Sequence, residues 1–448
     1  MSIIVVSIPA DLDIKEIDLK ENEWIEYRLD IQEKVGRTEH IPLNDKSILT
    51  WRMDSSDTIA YQEKIRLFHE RVKQSNCMVD VELENYEDFE DLSDNMILSV
   101  HFDDFDEEKI VETLNLFEKK IPIYCKLVVK ADTYKQIIRL RELTRSFSGA
   151  LFTLSTGKLS YFSRLMSWYI NSIGTYVGLE GHLTAENQIS REFFYMTKGH
   201  IINDKTLIGG LLGGSQIYKS IGLKFYNSWL GCIEKDAAYI PLFAEDIEDF
   251  IYFVMNSGVR FYGFSITMPF KYMPGRRYPV NFYNLPFKQY CNTDVIAFHE
   301  GFKKLMIEKH HRVVIVGTGA TAESALIALS ENEHQMSQVK IFGRNKIRIG
   351  QLKFEYKVEA VEKNQKHFDL LINCTPLGFN GENVKDYIGD ISYDKVIDLP
   401  YVIQNKTPLV QSVDEENCFD GIEFWFAQSR SQMEMFSVPI RRLKNVLT

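Results

Sequence analysis

An N-terminal (β/α)8 barrel followed by an α/β region that contains a Rossmann-type unit is the fold class the sequence predicts. Three observations predict it. Between residues 1 and about 200, eight short apolar runs alternate with amphipathic stretches whose apolar positions recur at three and four, the pattern of parallel strands joined by helices. Four of those runs end on reactive side chains at near-regular spacing. From residue 312, RVVIVGTGATAESALIALSE reads as strand, glycine turn and Ala-rich helix.

The barrel strands are expected at IIVVSIP, WIEYRL, SILTWRM, CMVDVEL, MILSVHF, PIYCKLVV, GALFTLS and TYVGLE, with helices such as EKIVETLNLFEKK and ADTYKQIIRLRELTRSF between them. The link between the first two strands is short for a full helix, which predicts a trimmed barrel. A polar stretch, TKGHIINDKT, leads to a strand at TLIGGLL. AEDIEDFIYFVMNSG forms an amphipathic helix before the strand FYGFSIT, and QVKIFGR, FDLLINCT and DKVIDLP supply the later strands. The expected domains are residues 1–202, a second domain at 203–300 completed by C-terminal helices at 425–448, and a Rossmann domain at 301–424.

A chain of 448 residues exceeds one ordinary core, so two or three domains are expected. The formal charge of −11 argues against a nucleic-acid or anionic-membrane partner, so an anionic substrate has to meet a local basic pocket. The six cysteines have no CxxC spacing and read as reduced core thiols, which points to the cytoplasm. No run approaches the roughly 18 apolar residues of a membrane span, and the first residues read as a folded strand rather than a targeting signal. Oligomeric state is left open.

The strand ends carry Glu26, Arg28 and Asp30, then Arg52, His101 and Lys126. Parallel barrel strands bring their C-terminal ends to one face, where this set suits imine chemistry on an anionic carbonyl compound. Lys attacks the carbonyl, His moves a proton and Arg grips a carboxylate. In the second half, Gly317-Thr318-Gly319-Ala320 permits a tight turn and close approach of a pyrophosphate to a helix N-terminus. The second strand of that unit ends in Gly343, Arg344 and Asn345 without a carboxylate. Arg344 either reads a 2′-phosphate, which favours NADP, or is merely solvated.

These strings resemble two families. Residues 1 to about 200 resemble type I 3-dehydroquinate dehydratase: EYRLD is similar to its ExRxD strand, ILTWR to its substrate-binding Arg strand, LSVHF to its SxH strand and CKLVV to its Schiff-base lysine strand. The resemblance implies an imine on Lys126, proton transfer by His101 and substrate contacts from Glu26, Arg28 and Arg52. STGKLSYFSRL resembles the SxGxxxxxSR segment, which implies that Arg164 holds the substrate carboxylate. TAENQ resembles the closing stretch, with Thr184 and Gln188 at the contacting positions. The family's Glu-Gly-Gly is replaced by Ser56-Asp57-Thr58, and Glu82 reads as a structural carboxylate.

Residues 206–448 resemble shikimate dehydrogenase. FSITMPFK is similar to NVTxPxK, which implies a catalytic Lys271 and a substrate contact at Thr267. YCNTD supplies Asp294, and LINCTPLG supplies Asn373 and Thr375 on the cofactor strand. VIDLPY gives Asp398 and Tyr401, GIEFWFAQ gives Gln428, and Asn281 takes the place of the substrate-binding Asn. SIGLKFYN keeps Ser220 of SxSPxxHN, but Gly222 replaces its second Ser and Tyr226 its His; Ser265 replaces the Asn of NVT. Lys271 and Asp294 stand only 23 positions apart, short for the family. Arg276 or Arg277 either replaces the lost Ser or belongs to a solvated turn.

Together the resemblances imply a cytoplasmic enzyme that dehydrates 3-dehydroquinate and reduces the resulting 3-dehydroshikimate to shikimate with NADPH. Two alternatives stay open: a dehydrogenase-like half serving as a binding or regulatory module, and a variant acting on quinate or another polyol acid.

Overall fold

The computed structural model describes residues 2–437, except 11, 13–16, 32–40, 53–57, 234, 286–287, 362–366, 390 and 402–404. The chain divides into two compact units, residues 1–261 and 262–448.

The first unit opens with eight parallel strands: β1 (Ile3–Pro9), β2 (Glu23–Arg28), β3 (Ser47–Thr50), β4 (Met78–Glu82), β5 (Met96–Phe102), β6 (Tyr124–Val129), β7 (Leu151–Ser155) and β8 (Gly174–Gly178). Each pairs with the next from β1 to β7, and β8 returns to β1. At the remaining seam the Ile173 N–H donates to the Leu151 carbonyl at 2.9 Å, and the Thr153 N–H donates to Ser172 Oγ at 2.9 Å. The barrel is thus nearly closed. Its interior is filled by Val5, Ile48, Met78, Ile97, Val128, Phe152, Leu154 and Tyr176, one or two inward side chains from each of several strands, as alternation along a strand requires.

Local sequence explains the connecting elements. The helix Glu107–Lys120 is capped by Asp106, has Glu107 and Glu108 in its first turn and Lys119 and Lys120 in its last, and so matches its dipole. Thr133 and Gln136 form a capping box at the start of Tyr134–Thr144. Between β4 and β5 the chain runs as a 3₁₀ stretch, Leu83–Asn95, instead of an α-helix. Its apolar residues Leu83, Tyr86, Phe89 and Leu92 recur every third position, the period at which a 3₁₀ turn stacks its side chains.

Beyond the barrel, β9 (Leu207–Gly213) and β10 (Ala237–Phe243) pair in parallel. The helix Ile247–Asn256 packs on the barrel. Asp249 accepts the Tyr134 and Lys135 N–H groups at 2.6 and 3.1 Å, while Phe250 and Phe253 meet the Tyr134 ring. The carboxylate thereby satisfies donors that a helix start leaves open.

The second unit takes over within β11 (Phe261–Ile266), which is followed by β12 (Phe282–Asn284) and β13 (Gln289–Cys291) in an antiparallel meander. Six further strands, β14 (Val313–Val316), β15 (Val339–Phe342), β16 (Glu359–Ala360), β17 (His367–Asn373), β18 (Ser392–Asp398) and β19 (Cys418–Phe419), form a parallel sheet in the order β16-β15-β14-β17-β18-β19. That is the 3-2-1-4-5-6 order of a dinucleotide-binding fold, with its switch point between β14 and β17. The last described helix is Gly421–Ser437; residues 438–448, the end of the expected C-terminal helices, lie outside the described residues.

Candidate active sites

The barrel interior gathers charge that apolar strands would otherwise exclude. Lys126 on β6 is buried, with Nζ 2.9 Å from Asp80 Oδ2 and 3.6 Å from Glu26 Oε1, and it stands 4.0 Å from the Tyr176 ring centre. Glu26 accepts hydroxyls from Ser7 and, at 2.7 Å, from Thr50. Asp80 is fully enclosed and accepts Ser99 Oγ at 2.6 Å and Arg52 Nη2 at 3.0 and 3.2 Å. Burial alone raises the Asp80 carboxyl, but Arg52, Lys126 and His101 outweigh it and hold the group far below the usual range. The imidazole of His101, near the end of β5, makes no hydrogen bond among the described residues. Desolvation first, then Arg52 and Lys126, hold its imidazole well below its ordinary value, so it is neutral at pH 7.

The other sequence-marked residues differ in how free they are. Arg28 pairs with Asp30 at 2.6 Å and donates to the Thr184 carbonyl at 3.0 Å. Thr184 in turn donates to Ser7 Oγ at 2.8 Å and accommodates Gln188 Oε1 on its own N–H at 2.9 Å, so the TAENQ stretch is tied to β1 and β2. Arg164 is buried and donates to the carbonyls of Tyr176, Ser155 and Ser160 and to the Ser160 hydroxyl; desolvation pulls its guanidinium down to about 10. Only its Nη2 lacks a partner among the described residues. Ser56 and Asp57 lie outside the described residues. Glu82 is a link in an ion-pair chain, 3.4 Å from Arg52 and 2.7 Å from Lys64.

Sequence reading passed over Asp80, Ser99 as a ligand of it, Tyr176 and Lys64. A signal existed for Asp80: an acid flanked by valines in VDVE, at the alternate position of Glu82 and so on the same strand face. Lys64 carried none, since a lysine within an amphipathic helix ordinarily faces water.

A second cluster lies wholly within the second unit. Lys271 Nζ is 2.5 Å from Asp294 Oδ2 and 3.1 Å from Thr321 Oγ1. Asn281 donates to Asp294 Oδ1 at 2.7 Å and to Gln428 Oε1 at 3.1 Å, while its own oxygen accepts the Thr293 N–H at 2.6 Å. Asp294 stands in the first turn of the helix Thr293–Lys304, capped by Asn292. Ser265 donates to Gln432 Oε1 at 2.6 Å, and Gln432 donates to Thr293 Oγ1 at 3.0 Å, a pair that sequence reading missed. Lys271 and Asp294 stand 23 positions apart, and the chain between them holds β12 and β13, enough to return to the same point. Thr267 follows β11, its carbonyl accepting the Phe270 N–H at 2.9 Å. Tyr401 packs edge-on against Phe379. Ser220 belongs to the first unit, where it caps the helix Ile221–Cys232. Arg276 stacks on Tyr290, and Arg277 pairs with Glu355 at 3.0 Å; both are exposed, the arrangement of a solvated turn.

The glycine turn tests whether a dinucleotide fits. Gly317 has φ +119°, which L side chains rarely adopt, and its Cβ would meet the Cys374 carbonyl at 3.2 Å. Gly319 opens the helix Ala320–Glu331, and a Cβ built there meets nothing within 4 Å. The backbone therefore presents an open cradle at a helix N-terminus, the setting a pyrophosphate needs. Thr318 and Ala320 flank it. At the C-terminal end of β17, Asn373 orders the next loop by donating to the Leu377 carbonyl (2.9 Å) and Asp398 (2.7 Å) and accepting Thr375 Oγ1 (2.7 Å). Asp398 is buried, which pushes its carboxyl up to about 6 against the donors Thr407 and Asn373. Arg344 is exposed with no partner among the described residues, and Asn345 caps the next helix by accepting the Arg348 N–H. Arg348 is engaged by Glu323 and by Tyr272 at 2.7 Å.

No family model matches the chain. A Clostridium botulinum protein named shikimate dehydrogenase (NADP(+)) is 30% identical over 160 residues, which cover 32% of this chain and 59% of that protein. A Methanococcus maripaludis 3-dehydroquinate dehydratase is 23% identical over 188 residues, 38% of this chain and 84% of that protein. Among solved structures, the dehydroquinate dehydratase and shikimate dehydrogenase of S. pombe aligns over 92% of this chain and 90% of its own at 17% identity, with a TM-score of 0.40. The chain thus spans less than two thirds of the dehydrogenases it matches first.

Proposed function

We propose that the chain is a bifunctional enzyme that dehydrates 3-dehydroquinate in the barrel and reduces 3-dehydroshikimate to shikimate with NADPH in the second unit. The observation that carries the reading is the buried Lys126 in contact with two carboxylates, beside a neutral His101 and the guanidinium of Arg52.

In the first reaction the Lys126 amine attacks the ketone, the resulting hydroxyl takes a proton from solvent and leaves as water, and an iminium ion forms. His101 takes the proton on the adjacent carbon, the C–O bond one carbon further breaks, and His101 returns its proton to the departing hydroxide as water. A second water hydrolyses the imine and frees Lys126. Asp80 and Glu26 stabilise the cationic nitrogen, and Arg28, Arg52 and Arg164 are the cations for the substrate carboxylate. The lowered basicity of His101 keeps it able to accept a proton at neutral pH.

In the second reaction Lys271, aligned by Asp294, delivers a proton to the carbonyl oxygen. Asn281 and Gln428 donate to or accept from the ring hydroxyls, with Thr267 and Tyr401 as further contacts. The nicotinamide cofactor, when bound at 317–320 with Asn373, Thr375, Asn345 and Arg344, supplies hydride. Arg344, unpaired, is available to a 2′-phosphate, which supports NADP. A division into domains 1–202, 203–300 with the C-terminal helices, and 301–424 belongs to the same reading. The six cysteines are all free, which supports a cytoplasmic setting. Among the described residues no helix is long and apolar enough to cross a membrane.

The test is direct: purified chain with 3-dehydroquinate, following the conjugated product by ultraviolet absorbance, then NADPH oxidation with 3-dehydroshikimate. Both activities are expected. Gly222 and the engagement of Ser265 by Gln432 favour a second reading, in which the second unit binds ligand without turnover. NADPH binding without reduction would select it.

A further inference from the structure

A fully buried lysine outside the expected catalytic set sits beside the barrel site. Lys64, on the helix Thr58–Ser75, is 0% exposed, and its Nζ lies 2.7 Å from Glu82 Oε2. Glu82 Oε1 is 3.4 Å from Arg52 Nη1, Arg52 Nη2 is 3.0 Å from Asp80, and Asp80 is 2.9 Å from Lys126. Charges alternate in sign along the whole line, from Lys64 through Glu82, Arg52 and Asp80 to Lys126. Burying a lysine completely is costly, so it persists where a partner carboxylate compensates. Here that carboxylate has a second obligation, to Arg52.

We propose that Lys64 is a positioning residue of the barrel site, acting through Glu82 on the Arg52 guanidinium; this rests on the dehydratase reading. Lys64 draws Glu82 toward the helix and shares its charge, which leaves Arg52 directed at Asp80 and only half neutralised by Glu82. Arg52 is the strongest cationic influence on His101, followed by Lys126, with Asp80 opposing and Arg28 adding. On the helix of Lys64, Tyr61 hydrogen-bonds Asp88 and feels Glu84 of the 3₁₀ run, and the Phe68 ring lies 5.7 Å from Lys64 Nζ. Without Lys64 the full Glu82 charge falls on Arg52, and His101 becomes more basic. Without Glu82 the opposite holds, because Arg52 then keeps only Asp80 as an ion-pair partner among the described residues and presents more of its charge to the imidazole.

The experiment is an NMR titration of His101 in protein labelled at histidine ¹³Cε1, its signal assigned with His101→Gln, on the full chain. Lys64→Met is expected to raise the His101 midpoint by about half a pH unit or more, and Lys64→Arg to restore it. Glu82→Gln is expected to lower it. The acid limb of the dehydration rate should move in the same directions. An unmoved midpoint in folded Lys64→Met, or a rise in Glu82→Gln, overturns the proposal. Should Lys64→Met fail to fold, Glu82→Gln decides alone. Absence of dehydration in the unaltered chain would refute the dehydratase reading, while the titration still decides what Lys64 does.

Discussion

Replacing Asp80 by Asn tests the electrostatics of the barrel most severely. The carboxylate is fully buried between Lys126 at 2.9 Å and Arg52 at 3.0 Å, with Ser99 on its remaining lone pair. At an effective dielectric of about 20, a pair at that separation attracts by roughly 5 kcal/mol, much of it offset by desolvation. Removing the carboxylate leaves the buried Lys126 and the part-buried Arg52 facing a neutral amide, each with only its longer contact to Glu26 or Glu82, so the net loss is expected to be about 3–5 kcal/mol. Guanidinium unfolding followed by tryptophan fluorescence reads this loss in the right place, because Trp24, Trp51, Trp168 and Trp229 lie in the first unit and Trp425 in the second. The pH dependence has a definite sign. Folding depresses the Asp80 carboxyl, so its contribution is complete above the unfolded value of about 4 and fades as pH falls below that. The gap between wild type and Asp80→Asn should therefore be constant from pH 5 to 8 and narrow in acid. A loss under about 1 kcal/mol, or a gap that widens in acid, would refute the reasoning.

Borohydride with 3-dehydroquinate should add substrate mass to the peptide containing Lys126, and Lys126→Ala should abolish dehydration while sparing reduction; labelling at Lys130 or Lys158 would displace the assignment. Lys271→Ala and Asp294→Asn should each lower reductive turnover by roughly 10²-fold with cofactor affinity barely changed, as measured by NADPH fluorescence titration. Arg344→Ala should weaken NADPH by about 1.5–3 kcal/mol and leave NADH almost untouched; equal losses would exclude a role at the 2′-phosphate. The Asp398 carboxyl, raised to about 6, binds its proton more readily folded than unfolded, so the second unit should gain about 1–3 kcal/mol as pH falls from 7 towards 4, and Asp398→Asn should flatten that gain.

The sequence by itself determined the succession of elements, because strand and helix periodicities are local. All eight barrel runs became strands, and the strand, turn and helix around Gly317 were legible as a unit. Of the reactive residues expected at strand ends, Arg28 ends β2 and His101 stands one residue before the end of β5, whereas Glu26 and Lys126 lie within β2 and β6 with buried side chains. What only the tertiary structure decided is which charges meet. Asp80 matters because its neighbours on β3, β5 and β6 bring Arg52, Ser99 and Lys126 to it, and no spacing along the chain encodes that encounter. Ser265 with Gln432 and Asn281 with Gln428 pair across 167 and 147 positions. Lys64 reads as an ordinary surface lysine until the helix it rides on is laid against β4 and water is removed from around it. Removing that water turns a weak surface charge into one that has to be matched, and the matching partner is set by the fold.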